Sequence, residues 1–466
     1  MKKKAIILAI HFLILEHLFS QALEMDTIQY HGSPDKFINF VILGDGYTQQ
    51  EQDQFIQNSK QLSNYLFRQV PWSNYIQYFN VFAVKVISAE SGTKHPNSAP
   101  DCGNSQPITN PDTYFGCSFD VGNIHRLVVP SNYTHISNVL SSNFPLYDQV
   151  CIIANSIYYG GSGGTFATTT INSSSNEVYA HELGHSFAGL SDEYYAGDNY
   201  ARENINMTRQ TDSTQVRWRN WMNTQNIGIY QHCCGGNSAE WYKPNTGCKM
   251  QSLGGEYCSV CKEAIIEKIH SLTNPIVSYQ PIQLNQNTQE KFIVFKLTEL
   301  MKPIENTLKL VWNLDGKDIA WNIDSMQLDQ SLISFGKHTL TVSCEDTSNF
   351  IRVNRHSTKH FNTVSWNIDR TTTGIKLVPA DQKISYSIFP NPVQSVLNVS
   401  VNVDAKNKLN INLLTLNGVI LNNIVKDKLI TEHFEQAMNI ENLNPGTYIV
   451  QFQIGTFKYN EVFTKQ

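Results

Sequence analysis

Residues 177–195 read EVYAHELGHSFAGLSDEYY, and no other stretch narrows the possible folds as far. Ala180, Leu183, Gly184, Phe187 and Ala188 recur at helical spacing and form one apolar stripe. Ser174 and Glu177 have the separation of a capping box, so a helix is expected to begin near Ser175. On the adjoining face His181 and His185 are one turn apart, and their imidazoles can converge on a single tetrahedral cation, Zn2+. Glu182 follows the first histidine, where it can reach a metal-activated water as general base without taking a coordination position. Gly189 can break the helix and turn the chain back toward the metal. The third ligand is then expected from the carboxylates that follow, Asp192 first and Glu193 as the alternative. An ordinary amphipathic helix would explain the two histidines, but not the cap, the glycine turn and the acidic pair together.

The flanking sequence adds two features. Tyr158–Thr165 reads YYGGSGGT; Tyr159, Gly160, Gly161, Gly163 and Gly164 suit an edge strand along a cleft, where glycines let a substrate backbone approach and pair. A flexible loop has the same composition. Downstream, Cys258 and Cys261 have the CxxC spacing of half a structural zinc site or of a redox pair. No second CxxC accompanies them, so disulfides to Cys233, Cys234 or Cys248 are the expectation.

The chain's 466 residues exceed one ordinary core. Lys2–Lys4 precede the apolar run 5–15, with small or polar residues at Ser20, Gln21 and Ala22, which marks residues 1–20 as an export signal. The run is too short to span a bilayer, which takes about 20 apolar residues, so no transmembrane helix is expected. Export means an oxidising compartment, so the eight cysteines between Cys102 and Cys261 are expected in disulfides; Cys344 reads as a small buried hydrophobe. A net charge of −5 without a basic block argues against nucleic acid as a partner.

Strand-like runs at 37–43, 80–87 and 149–154, with a helical stretch at 49–67 carrying Phe55, Leu62 and Leu66 on one face, predict an α/β (α+β) domain over 21–275. After residue 276 short alternating runs at 291–297, 308–313 and 339–344 between polar turns predict a small Ig-like β-sandwich over 276–378. A polar linker at 369–383 leads into a second all-β domain, 379–466.

LGDGYT (43–48), ESG (90–92), YGGSGG (159–164), HELGHSFAGLSDEY (181–194), CKM (248–250) and YCSVC (257–261) occur in order, and this ordered set resembles the immunoglobulin A peptidase family of zinc metallopeptidases. The resemblance implies a metzincin-like domain. Zinc would sit on His181, His185 and a carboxylate of the 192–193 pair, Glu182 would be the catalytic residue, and Met250 would lie in a turn beneath the metal. It does not carry over an immunoglobulin substrate. SIFPNP (387–392), LNV (397–399), LNG (416–418) and LNPGTY (443–448) are similar to the C-terminal sorting domain of the type 9 (Por) secretion system. That similarity implies handling by the outer-membrane secretion machinery and a secreted or surface-attached product.

The combined expectation is a secreted zinc-dependent endopeptidase acting on protein or peptide substrates, with Tyr194 among the residues that contact substrate. The alternative is a surface adhesin built on an inactive peptidase-like fold, which an intact Glu182 disfavours. Hydrolysis of a non-peptide bond is a third reading. Ca2+ suits an extracellular domain, but no calcium-loop motif indicates it.

Overall fold

The computed structural model describes residues 22–466 except 104, 198–199, 288–289, 371–383, 417 and 456. The export signal at 1–20, nearly all of the 369–383 linker and the central Asn417 of LNG lie outside the described residues. The chain divides into two compact units, one of residues up to Gln280 with Lys296–Ser325 and Thr341–Val364, the other of Pro281–Phe295, Met326–Leu340 and Ser365–Gln466.

The first unit is organised by a six-stranded sheet. Its strands are β1 (Met25–Gln29), β2 (Ile38–Asp45), β3 (Phe79–Val84), β4 (Gln149–Ala154), β5 (Gly161–Ser162) and β6 (Ala167–Thr169), in the order β1-β3-β2-β4-β6-β5. The inner four run parallel, and β1 and β5 are antiparallel at the two edges. Every residue of β2, β3 and β4 is buried, as strands covered on both faces require. Side chains alternate between the faces. Phe40 and Ile42 join the core beneath α1 (Gln52–Leu66), α3 (Ser175–Ser186) and α4 (Ser259–Leu272); Val41 and Leu43 join the other, against Ile136, Val139 and Leu140 of α2 (Tyr133–Asn143). The LGDGYT and ESG segments meet at the end of β2: Gly92 donates its N–H to the Gly46 carbonyl at 3.0 Å. Gly46 has φ of +75°, and a Cβ there would lie 1.8 Å from the Gly92 oxygen, so only glycine fits. Later in this unit, 276–280 pairs antiparallel with 296–300, and Leu308–Leu314 pairs with Lys317–Trp321 through Asp315–Gly316, both at positive φ as a tight hairpin turn demands.

In the second unit, residues 385–465 form a three-stranded sheet (Ser385–Phe389, Val396–Asn402, His433–Asn439) and a four-stranded one (Ile420–Ile430, Asn407–Thr415, Gly446–Ile454, Phe457–Lys465). Inward residues of the two sheets, among them Leu397, Val399, Leu409, Ile411, Val450 and Phe452, share one core, the signature of a sandwich.

The cysteines depart from the disulfide expectation. Among the described residues one disulfide forms, between the neighbours Cys233 and Cys234, and the other seven thiols are free. Cys117 and Cys151 are each buried among apolar side chains, Cys102 stands beside His95, and Cys344 is buried as expected. A bridge requires sulfurs about 2.05 Å apart, and the Sγ atoms of Cys248 and Cys261 are 3.6 Å apart. No helix of the described residues is long and apolar enough to cross a membrane.

Candidate active site

Helix α3 begins after Ser174, but not through a capping box. Ser174 makes no side-chain cap bond, and Glu177 is drawn away by Lys249, the Tyr65 hydroxyl and the Gly254 N–H. The stripe of Ala180, Leu183, Gly184, Phe187 and Ala188 is buried as its spacing predicts. At the other end Gly189, with φ of +67°, donates to the His185 carbonyl at 2.9 Å, and Leu190 donates to the Gly184 carbonyl at 3.0 Å. This left-handed cap turns the chain back under the helix.

The turn delivers Asp192 to the histidines. Its Oδ1 lies 3.0 Å from His181 Nε2 and 3.1 Å from His185 Nε2, and the two Nε2 atoms are 3.2 Å apart. Each Nδ1 faces a carbonyl, that of Lys249 at 3.0 Å for His181 and that of Leu190 at 2.7 Å for His185. A carbonyl only accepts, so each Nδ1 is held as a donor, and Nε2 is the nitrogen that each ring turns toward the carboxylate and the other ring. Ligand atoms on a tetrahedral ion with bonds of about 2.05 Å are about 3.3 Å apart, close to the three edges seen here. The donors therefore fit one face of a tetrahedral metal site. The electrostatics ask for the same positive charge: burial opposes protonation of His185, yet Asp192 outweighs it and pushes the His185 pKa up to about 9. Burial likewise acts to raise Asp192, but the His185 and His181 imidazoles hold it well below the usual carboxylate range. Glu193, the alternative ligand, points elsewhere. It is fully buried with its Oε1 on Asn206 at 3.0 Å and within 3.5 Å of Cys261 Sγ.

Glu182 lines the same cleft, of about 680 Å³, together with both histidines, Asp192, Tyr159 and Tyr194. Burial raises its pKa, against the pull of the two imidazoles. Met250 is fully buried beneath α3, and a Cβ on Gly184 would lie 2.6 Å from its Sδ, so the sulfur packs directly on the helix backbone between the histidines. The Met250 carbonyl accepts the Glu193 N–H at 2.8 Å, tying the turn to the acidic pair.

β5 is an edge strand as expected, but its outer side is not free. The Gly161 N–H donates to the Arg126 carbonyl at 3.0 Å and its carbonyl accepts from Val128 at 3.2 Å. The glycines here allow close packing: a Cβ on Gly160 would meet Val128 at 2.6 Å, on Gly161 Val178 at 2.5 Å, and on Gly163 His185 at 2.4 Å. Gly164, at φ +140°, has open space around it. Tyr159 is 42% exposed on the cleft wall. Tyr194 stands there too, with the Arg126 guanidinium 5.8 Å from its ring centroid; burial and Asp192 push its phenol up to about 12. Tyr195, by contrast, is exposed and does not line the cleft. Arg126, Arg202 and Gln251–Leu253 also line it, and nothing in their local sequence marks them out.

Residues 27–232 match the family model described as IgA Peptidase M64, and residues 387–465 match the secretion system C-terminal sorting domain. No curated protein sequence matches the chain. Solved structures align at low similarity: dimeric latent PorU from Porphyromonas gingivalis at 10% identity, over 41% of this chain and 20% of that one, TM-score 0.15; and Bacteroides ovatus SGBP-B in complex with a mixed-linkage heptasaccharide at 12% identity, over 41% of this chain and 47% of that one, TM-score 0.15. The chain thus spans a fifth of the PorU structure and about half of the SGBP-B structure. The whole constellation from Tyr159 to Tyr194 falls inside the first matched stretch, while Met250 and the three cysteines around it lie beyond it. The chain thus carries two stretches similar to known families, residues 27–232 to the IgA Peptidase M64 family and residues 387–465 to the secretion system C-terminal sorting domain.

Proposed function

We propose that the protein is an exported zinc-dependent endopeptidase with a metzincin-like active site, carried out of the cell by its C-terminal domain. One observation carries the reading: two imidazole Nε2 atoms and a carboxylate oxygen, 3.0–3.2 Å apart, converge on one point in a cleft. His181, His185 and Asp192 would hold the ion, three protein ligands being the number that leaves a zinc room for water, and Glu182 lines the same cleft. When bound, zinc supplies Lewis acidity, polarising a carbonyl and making water acidic near neutral pH.

The chain's own residues supply the rest. Glu182, raised in pKa by burial, takes a proton from the attacking water on a carboxylate oxygen and returns it to the leaving amine. The carbonyls of Lys249 and Leu190 keep both rings in the tautomer that leaves Nε2 free. The Tyr194 phenol, beside Arg126, can donate to the oxyanion as the carbonyl becomes tetrahedral. Met250 forms an apolar floor beneath the histidines. A cleft walled by Tyr159 and Gly163–Gly164 suits an extended peptide.

The test compares the full chain with Glu182→Ala on a mixed peptide library, with metal content measured on both. The expected result is cleavage by the wild type alone, with equal zinc in the two proteins. Equal zinc with no cleavage of any peptide by the wild type would refute the peptidase reading.

A further inference from the structure

A second cluster of ligand atoms lies behind the first. Glu193, Cys248, Cys258 and Cys261 are all buried and bring one ligand atom each within 4.8 Å of one another. The Sγ atoms of Cys248 and Cys261 are 3.6 Å apart, and Cys261 Sγ is 3.5 Å from Glu193 Oε1. Around a tetrahedral ion, zinc–sulfur bonds of about 2.3 Å put two sulfurs about 3.8 Å apart, and a sulfur and a carboxylate oxygen about 3.5 Å apart. A disulfide needs about 2.05 Å and would leave the third thiol unmatched. The carboxylate adds an independent sign: Glu193 Oε2 is buried with no hydrogen-bond partner, a costly state for a polar oxygen unless a cation meets it.

The elements suit this use. Cys258 is the N-cap of α4 and Cys261 lies in its first turn, so the CxxC wraps a helix end whose dipole favours thiolates. Cys248 arrives from the turn that contains Met250, and the Cys258 N–H donates to Cys248 Sγ at 3.3 Å. Lys243 Nζ, on the Glu193 backbone carbonyl at 2.6 Å, offsets part of the negative charge of three thiolates and a carboxylate.

We propose that Glu193, Cys248, Cys258 and Cys261 form a second, closed metal site that takes zinc and braces the base of the cleft. Glu193 is chain neighbour to Asp192, and Cys248 lies two residues before Met250, so this metal ties α4 to the segments that carry both. Its four ligands leave no open position, which makes the site structural. The inference does not depend on the endopeptidase reading, since it uses none of the residues proposed for the chemistry.

The experiment measures zinc per chain by elemental mass spectrometry on the full-length protein purified without chelator. It is repeated on a His181→Ala/His185→Ala double variant and a Cys258→Ala/Cys261→Ala double variant. The wild type is expected to hold about two zinc ions, and each variant about one. Cobalt loaded into the histidine variant should give the intense thiolate-to-metal charge-transfer absorption of a sulfur-rich tetrahedral site. That reading stands on its own if the cysteine variant does not fold. A histidine variant that binds neither zinc nor cobalt would overturn the proposal, as would non-reducing peptide mapping that finds Cys248 bridged to Cys258 or Cys261.

Discussion

Glu177 is a helix residue whose main work lies off the helix. Its carboxylate meets the Lys249 ammonium, which is 1% exposed against 25% for Glu177. The Lys249 carbonyl in turn receives the His181 Nδ1–H. Glu177→Ala leaves a buried cation without its partner, a change that costs about 3–5 kcal/mol in a dry interior. The quarter exposure of Glu177 lets water reach the gap and puts the cost at the low end, about 3 kcal/mol. That is roughly a hundredfold in the local opening equilibrium. Hydrogen exchange of backbone amides in residues 178–187 reads it directly and avoids assuming that a two-unit chain melts in one step. Adding Lys249→Met to Glu177→Ala removes the stranded charge at nearly constant volume and should restore most of the protection. Metal affinity should fall about 10- to 100-fold in the single variant, because the carbonyl that orients His181 loses its anchor. Exchange accelerated less than about fivefold in Glu177→Ala, or a double variant as labile as the single, would refute the reasoning.

Asp346 accepts from His270 at 2.9 Å and from Thr307 at 2.6 Å; burial raises its pKa, but these partners outweigh it and hold it at about 2. A depressed acid stabilises the fold above its unfolded pKa of about 3.9 and loses that contribution as pH falls toward 2, so about 2 kcal/mol should disappear over that window. In denaturation measured against pH, Asp346→Asn should flatten this part of the profile. Gly184→Ala drives a methyl into Met250 Sδ and should cost about 1–3 kcal/mol, relieved in part by Met250→Ala; thermal melts of the three proteins check it. Asp192→Asn should weaken zinc binding by at least about tenfold in a competition titration with the Cys258/Cys261 ligands intact, and an unchanged affinity would remove Asp192 from the proposed ligand set.

Much of the first unit was legible because its signals are local. The run 149–154 is a strand at the expected residues, Phe55, Leu62 and Leu66 are buried along α1, and the α3 stripe faces the core. One local signal misled and another has two sides. The spacing of Ser174 and Glu177 matches a cap, but Glu177 is claimed by Lys249, 72 residues on, and by Tyr65, 112 residues back. The glycine-rich run at 160–164 packs tightly against chain-distant neighbours, Val128 and Phe119 at Gly160 and His185 at Gly163, while Gly161, Gly163 and Gly164 also line the cleft.

By itself the sequence determined that residues 175–186 form a helix with His181 and His185 on one face, and that a carboxylate returns after Gly189. Helical pitch puts residues four apart on one side, and a left-handed glycine turns the chain. Tertiary structure alone set Asp192 and Glu193 apart. The two are chemically alike and adjacent, and neighbouring side chains leave the backbone in different directions. Asp192 faces two imidazoles; Glu193 faces cysteines from 55 to 68 residues away, beneath the Met250 turn. The same holds for the cysteines. The compartment favoured disulfides, but a thiol's chemistry is set by the atoms within a few ångströms of it, and packing brought three of these together around a carboxylate.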